Sequence, residues 1–388
     1  MILLVEMQCK DWEHNRVNTG IIKLIKKTFP NEKMMLCAEK KHIAQIKELL
    51  AADDISVDGA EIDFADWRQG NLNSREKYAE LLDSIVRFHQ DVTDVMLLSC
   101  NKGIVLAGSD VSKKWREVRF HIFLHAALEE VCHTQKRSIK STVREILSCV
   151  RHMHFPAKSE MTMKTCMESC VSDNCSFFVY SPNYADGLRG KIDDRVIHKI
   201  TFLHHPFYES VRELSDTRDE KIKIGIYGQA VNRNAVEIIK TYNEKYDNGT
   251  VIFQVKANKE NEIFQQKNVM PLFDKDYVSN EELEDAINRF DYVLIPYSQD
   301  QYVVTASGIF CDAVSQEKPL LMLNSPYFAF YAKYGVGLIE ENIDAIAKRI
   351  SALKNMNQNA VLYISAEKEL KKISLEENVA ILRRTIPL

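Results

Sequence analysis

The stretch YVVTASGIFCDAVSQEKPLLM, residues 302–322, follows the apolar strand pattern DYVLIPYS. A helix is predicted to begin within it, at four residues that could bind an anion: Thr305, Ser307, Gly308 and Ile309. The first amides of a helix lack partners inside the helix, and the helix dipole favours negative charge there. Because Gly308 has no side chain, an anion can approach the backbone closely. The pattern therefore predicts a phosphate site, and a simple N-cap by Ser307 is the alternative interpretation.

The composition limits the classes of protein to consider. A chain of 388 residues is too long for one ordinary core, so we expect two domains. The formal net charge of −4 argues against a nucleic acid partner. The 9 cysteines form no repeating framework, which favours a reducing cytoplasm. The opening MILLVEMQCKDWEH does not have the pattern of a signal peptide, and no stretch approaches the roughly 20 apolar residues that span a bilayer.

The elements that must position the anion site alternate between strands and helices. In the first part of the chain, MILLVEM, KMMLCAE and DVMLLSC are strand patterns, and NTGIIKLIKKTF, HIAQIKELLAA, SREKYAELLDSIVRFHQ and SIKSTVREILSCVRHM are helical patterns. Such alternation is typical of βαβ units and a parallel sheet. We therefore expect an α/β domain over residues 1–210.

The alternation restarts after the polar segment 204–221. IKIGIYG, TVIFQVKA, VMPLF, DYVLIPY and PLLML are strand patterns, separated by the helical patterns NAVEIIKTYNEKY, NEIFQQK, SNEELEDAINRF and IFCDAVSQ. This predicts a second doubly wound domain over residues 211–370, and a charged amphipathic helix at 371–388 that crosses back to the first domain. Two Rossmann-like domains facing a cleft would bind a ligand at the carboxyl ends of their strands.

Other nucleotide-binding and hydrolase signatures are missing from the sequence. It has no Walker loop, no GxGxxG after a strand and no GxSxG. Sites for ATP and for dinucleotides therefore lack their usual phosphate loops.

Residues of about 220 to 370 resemble the donor-binding domain of GT-B glycosyltransferases of the family 4 or family 1 type. Four segments in the right order carry the resemblance: IGIYGQAVNR, VMPLFDKDYVSNEELEDAINRFDYVLIPYS, TASGIFCDAVSQEKPLLM and the closing amphipathic helices. Members usually carry two glutamates eight residues apart around the helix start. In this chain the second position is Asp312 and the first falls near Val304.

The resemblance implies roles for residues of the second domain. Asp312 would accept hydroxyl groups of the donor, and Arg233 would neutralise the leaving diphosphate, whereas Lys256 is expected within a strand. The donor-binding residues implied in this way are Gly228, Asn232, Arg233, Ser298, Tyr302, Thr305, Ser307, Gly308 and Ile309.

The resemblance also places candidates in the first domain. His125 would act as a general base or hold a sugar hydroxyl, with Glu129 orienting it or serving as the base itself; a half-buried structural histidine is the alternative. The loop after the first strand would face the acceptor, and its candidates are Arg16, Asn18, Thr19 and Gly20. Asn18 could equally cap the following helix.

The function implied is transfer of a sugar from a nucleotide-diphosphate-sugar donor to a saccharide, lipid-linked or protein acceptor. No metal or other cofactor is expected, because a helix dipole and Arg233 can balance the diphosphate charge. A cytoplasmic location is expected, with basic helix faces that allow peripheral contact with the inner face of a membrane. Two alternatives remain: a sugar-nucleotide epimerase of the same fold, and a catalytically degenerate subunit that supports a partner enzyme, which Val304 at a usual glutamate position favours.

Overall fold

The computed structural model describes residues 1–63, 75–125, 128–133, 162–170, 172–207, 221–275, 278–353 and 357–386. The chain forms two compact units. The first consists of Met1–Leu203 together with Val379–Leu388, and the second of His204–Asn378.

The described part of the first unit is an α/β structure. Its strands are β1 (Ile2–Val5), β2 (Met34–Ala38), β3 (Asp58–Glu61), β4 (Asp94–Leu97), β5 (Arg119–Leu124), β6 (Cys175–Val179) and β7 (Ile200–Phe202). Its helices are α1 (Asn15–Thr28), α2 (Lys40–Ala51), α3 (Arg75–Phe88), α4 (Lys102–Lys114), α5 (Glu129–His133), α6 (Met163–Glu168), α7 (Tyr184–Leu188) and α8 (Asp194–Ile197).

These strands form one sheet in the order β3-β2-β1-β4-β5-β6-β7, and every neighbouring pair is parallel. The central strands β1 and β4 are buried at every position. Burial on both faces explains why the residues of β1, and those of β4 after Asp94, are all apolar. The strand order changes direction between β1 and β4, which is where a doubly wound sheet opens a crevice.

The described part of the second unit repeats this plan. Its strands are β8 (Ile222–Ile226), β9 (Val251–Val255), β10 (Val269–Pro271), β11 (Tyr292–Ile295), β12 (Leu320–Leu323) and β13 (Gly337–Glu340). Its helices are α9 (Arg233–Thr241), α10 (Asn280–Asn288), α11 (Gly308–Ser315), α12 (Pro326–Ala332), α13 (Ile343–Ser351) and α14 (Asn357–Thr385), the last of which contains residues of both units.

The second sheet has the order β10-β9-β8-β11-β12-β13, again with parallel pairing throughout. Its order changes direction between β8 and β11. In β8, Gly225 lies under the ring of Phe290, and a Cβ atom at this position would be 2.1 Å from the ring. A glycine is therefore required for Phe290 to pack against the central strand.

The structure contains elements that the sequence patterns did not predict. They include α4, α5, α6 and α8 in the first unit and α12 and β13 in the second. The residues 181–191, interpreted as a loop, contain the short helix α7. The helix predicted over SIKSTVREILSCVRHM lies outside the described residues.

Candidate functional site

Three segments of the second unit meet at the carboxyl edge of its sheet. They follow β8, β9 and β11, the strands that flank the change in strand order. The backbone amide of Lys256, directly after β9, donates to the carbonyl of Ile226 at the end of β8 over 3.0 Å. The segment after β11 runs from Pro296 to the start of α11 at Gly308. This edge is where α/β sheets bind ligands.

A cavity of about 400 Å³ lies at this edge, within the second unit. The sequence-based candidates that line it are Gly228, Tyr302, Gly308, Ile309 and Asp312. Its other lining residues are Tyr227, Gln229, Lys256, Leu283 and Tyr297. The volume is within the range of about 300–1,000 Å³ that small-molecule sites occupy.

The start of α11 presents open backbone amides to the cavity. The buried hydroxyl of Ser307 accepts a hydrogen bond from the amide of Phe310 over 3.3 Å, so Ser307 is the N-cap. The amides of Gly308 and Ile309 have no acceptor among the residues that the structure describes. The hydroxyl of Thr305, a residue only 5% exposed, also lacks a hydrogen-bond partner in the described structure. Ser307 therefore caps α11 through the amide of Phe310, and the amides of Gly308 and Ile309 remain available to an anion.

Two glycines keep the backbone accessible at this point. Gly228 has a φ of +56°, and a Cβ atom there would be 3.3 Å from Cδ1 of Ile309. Both the backbone conformation and the neighbour therefore favour glycine. Gly308 differs, because a Cβ atom at this position would meet no protein atom within 4 Å. The space beside Gly308 is cavity rather than protein.

An aromatic stack forms one wall of the cavity. The ring of Tyr302 lies on that of Tyr297, with centroids 4.2 Å apart and planes inclined by 19°. Tyr297 in turn stacks on Phe328 at 5.9 Å. Tyr302 has a left-handed backbone, with a φ of +56°, which is unfavourable for a bulky residue and persists only when the surroundings hold it. Burial raises the pKa of the Tyr297 phenol well above its ordinary value, so that group is neutral.

The cavity contains side chains of opposite charge. Lys256 is partly buried and follows directly after the last residue of β9, so the expectation that it lies within a strand is wrong. Asp312 lies one turn into α11 and is also partly buried. Both line the same cavity as Gly308 and Ile309, so the cavity contains a cation and a hydrogen-bond acceptor as well as the open amides.

Other candidates of the second unit lie away from the cavity. Asn232 is the N-cap of α9, because its side-chain oxygen accepts from the amide of Ala235 over 3.1 Å. Arg233 is exposed at the first position of the same helix. The hydroxyl of Ser298 donates to the carboxylate of Asp300 over 2.6 Å within its own loop.

In the first unit, His125 lies directly after β5 at the carboxyl edge of the sheet. Its Nε2 donates to the carbonyl of Leu98 over 2.8 Å, and its ring packs 5.3 Å from His14 and 5.1 Å from Tyr180. Glu129 begins α5 and is partly buried.

The structure changes the interpretation of the loop after β1. Helix α1 begins at Asn15 with His14 as the N-cap residue, so the prediction that Asn18 caps the helix is wrong. Asn18 is instead fully buried inside the first turns, and the predicted acceptor residues Arg16, Thr19 and Gly20 lie on the same helix. The sequence reasoning missed Glu6, which binds the side chain of Asn18.

The residues that the structure describes lack two further features. No group of three or more His, Cys, Asp or Glu side chains there could hold a metal ion. Within the same part of the chain, no helix is sufficiently long and apolar to cross a bilayer.

No protein-family model and no curated protein sequence matches the chain. Solved structures match almost its whole length. A glycosyltransferase from Rickettsia africae matches with a TM-score of 0.59 and 11% identity, over 100% of this chain and 98% of that one. HepE from Anabaena, in complex with UDP and glucose, matches with a TM-score of 0.57 and 12% identity, over 99% and 98% of the two chains. UDP-GlcNAc 2-epimerase from Neisseria meningitidis, bound to UDP-GlcNAc, matches with a TM-score of 0.58 and 13% identity, over 100% and 99%.

The chain has the GT-B fold. The predicted fold class is therefore confirmed, with two α/β units that each contain a parallel sheet. Transferases and epimerases both occur among the similar structures, so the GT-B fold by itself does not select the reaction.

Proposed function

We propose that the protein is a glycosyltransferase that moves a sugar from a nucleotide-diphosphate-sugar donor to a saccharide, lipid-linked or protein acceptor. The second unit would hold the donor. The observation that carries this proposal is the cavity at the carboxyl ends of β8, β9 and β11, with the start of α11 at its wall.

The diphosphate of the donor would lie against the start of α11. The amides of Gly308 and Ile309 and the buried hydroxyl of Thr305 offer donors to phosphate oxygens, and the dipole of α11 adds to their effect. Lys256 supplies the positive charge that we expected from Arg233. Negative charge grows on the leaving diphosphate as the bond to the sugar breaks, and dipoles fixed in advance stabilise that charge. In this proposal no metal ion or other cofactor is required.

The nucleoside would lie against the aromatic wall. The face of Tyr302 offers a surface on which a base can stack, and Tyr297 and Phe328 support that surface from behind. Asp312 would accept hydrogen bonds from hydroxyl groups of the ribose or the sugar.

The first unit would supply the acceptor side. Because Nε2 of His125 donates to a backbone carbonyl, the basic nitrogen of the neutral ring is Nδ1. We propose that Nδ1 takes the proton of the acceptor hydroxyl, with Glu129 nearby in sequence as a second candidate base. A location in the cytoplasm, with peripheral contact at the inner face of the membrane for a lipid-linked acceptor, belongs to the same proposal, and no nucleic acid partner is part of it.

Two alternatives have specific support. The epimerase from Neisseria meningitidis shares the fold over the full chain, which supports a sugar-nucleotide epimerase. Val304 is 1% exposed and offers no carboxylate at the position where family members carry a glutamate, which supports a catalytically degenerate partner subunit.

A panel of UDP-, GDP-, ADP-, TDP- and CMP-sugars tests the proposal. We expect one nucleotide class to raise the melting temperature, and release of the nucleoside diphosphate to depend on an added acceptor. The proposal is wrong if no nucleotide sugar shifts the melting temperature. Conversion of UDP-GlcNAc to an epimer or a free sugar without acceptor would favour the epimerase, and binding without consumption by any acceptor would favour the partner subunit.

A further inference from the structure

A buried carboxylate lies at the end of β1 in the first unit. Glu6 is fully buried, and its Oε1 accepts hydrogen bonds from the amides of Gln8 and Cys9 over 2.7 and 2.9 Å. Its Oε2 accepts from Nδ2 of Asn18, on α1, over 2.9 Å. A carboxylate is unfavourable in a protein interior unless such donors surround it. Glu6 therefore ties the start of the loop after β1 to the first turns of α1.

The same amide group of Asn18 determines which ring nitrogen of His42 carries the proton. Nδ2 of Asn18 lies 2.9 Å from Oε2 of Glu6 and 3.1 Å from Nε2 of His42, and the oxygen of Asn18 could not occupy this position without facing the carboxylate. One amide hydrogen goes to each neighbour, so Nε2 of His42 is an acceptor. The ring proton is then on Nδ1, which donates to the carbonyl of Asp11 over 2.8 Å. His42 is neutral in this arrangement.

The first turn of α2 contacts Asp11 at two points. His42 donates to its carbonyl, and the ammonium of Lys41 lies 3.5 Å from its carboxylate. Asp11 and His14 both have left-handed backbones, with φ of +47° and +50°. Conformations of this kind are unfavourable for residues other than glycine and persist only where neighbours enforce them.

The loop of residues 7–14 ends at His14, which lies beside the proposed base His125. The ring of His14 packs 5.3 Å from that of His125. We propose that Glu6, Asn18 and His42 are positioning residues, which hold residues 7–14 in one conformation and thereby keep His14 against His125 during transfer. All three are fully buried, so they would act through the loop and not by contact with substrate. The inference rests on the proposed function, because it assigns the network a purpose in that reaction.

Glu6→Gln breaks one link of the network. The new side chain keeps an oxygen for the amides of Gln8 and Cys9, but its NH₂ group meets the NH₂ group of Asn18. Adding Asn18→Asp exchanges donor and acceptor between positions 6 and 18, which restores that hydrogen bond, and His42 keeps its link only by taking up a proton on Nε2, which then donates to the new carboxylate. Glu13→Gln is the matched control, because it makes the same substitution at an exposed carboxylate of the same loop, one that accepts from the backbone amide of Lys10 over 3.1 Å.

We expect Glu6→Gln to lower kcat for the nucleotide sugar selected by the panel by about 10- to 100-fold with an unchanged KM for the donor, since small displacements in a reacting site have effects of this size. The double variant should recover most of that loss, and Glu13→Gln should behave as wild type. The inference is overturned if Glu6→Gln retains full kcat, or if the double variant is as slow as the single one. If wild type consumes no nucleotide sugar, the proposed function fails first and the catalytic purpose of the network fails with it.

Nitrogen NMR of the histidine rings in wild-type protein tests the network without turnover or a variant at Glu6. Signals are assigned with His42→Gln and with His198→Gln, the latter an exposed histidine as control. We expect His42 to be neutral with its proton on Nδ1. A proton on Nε2 at neutral pH would contradict the hydrogen-bond assignment and overturn the inference even if Glu6→Gln did not fold.

Discussion

Substitution of Gly308 tests the phosphate site at its most exposed point. Gly308→Ala adds one methyl group beside the open amides of α11, and Gly308→Leu adds a larger side chain. No protein atom lies within 4 Å of the new Cβ, and the backbone of Gly308 is not in the left-handed region. The added atoms therefore enter the cavity and not the protein.

The expected change in stability is much smaller than the expected change in diphosphate affinity, so the two effects can be told apart. Surface substitutions without a clash usually change stability by no more than about 0.5 kcal/mol, so the melting temperature of both variants should stay near that of wild type. A hydrogen bond to a charged group contributes about 1.5–3 kcal/mol. Displacing a phosphate from one amide should therefore weaken nucleoside diphosphate binding by roughly 10- to 150-fold in Gly308→Ala. Gly308→Leu should abolish measurable binding.

Calorimetric titration of the nucleoside diphosphate into wild type and both variants measures the effect. The parent nucleoside, which has no phosphate, is the control ligand, and it should bind wild type and Gly308→Ala with the same affinity. Retained diphosphate affinity in Gly308→Leu, with an unchanged melting temperature, would refute the placement of the phosphate. An equal loss for nucleoside and diphosphate would place a different part of the ligand beside Gly308.

Further predictions concern stacking, charge and acid stability. Tyr302→Ala should weaken nucleotide binding by about 1–3 kcal/mol in a titration while Tyr302→Phe keeps it, and equal affinities would exclude base stacking at this wall. Lys256→Met should weaken binding of the diphosphate more than that of the nucleoside, and a uniform loss would argue against contact with phosphate. Burial alone would raise the pKa of Asp94, but hydrogen bonds from His121 and Arg119 outweigh it and lower the pKa to about 2 from 3.8. That difference stabilises the fold by about 2 kcal/mol above roughly pH 4, and this contribution is lost as the pH falls through about 2. The free energy of unfolding of the first unit, measured in urea at several pH values, should show this loss in wild type and not in Asp94→Asn.

The architecture could be predicted from the sequence because most strands of both sheets are buried on two faces. Short apolar runs such as ILLV and YVLI, separated by amphipathic helices, identify a parallel α/β sheet without knowledge of any contact. The same logic failed for α4, which is buried along most of its length and contains glycines and serines, so it lacks an amphipathic period. It also failed for β13, a short edge strand that is only partly buried.

The candidate site was predictable where function depends on the backbone. The glycines at 228 and 308 and the helix start that follows Ser307 could be identified because turn and helix-start chemistry is local in sequence. The positively charged residue of the cavity could not be predicted in this way. Whether Lys256 belongs to the sheet or to the cavity depends on where β9 ends, which is at Val255. Arg233 had the better sequence position and lies exposed beside the cap of α9.

The sequence by itself thus determined the α/β fold class and the position of the helix start that we propose as the phosphate site, since both follow from periodicity and from residues adjacent in the chain. Only the tertiary structure decided which side chains join that helix start. Tyr302 and Tyr297 stack within a loop in which Tyr302 has a left-handed backbone, and Glu6, Asn18 and His42 meet because β1, α1 and α2 pack together. The stack depends on the conformation of one loop and the network on residues from three separate elements, and no local sequence pattern encodes either.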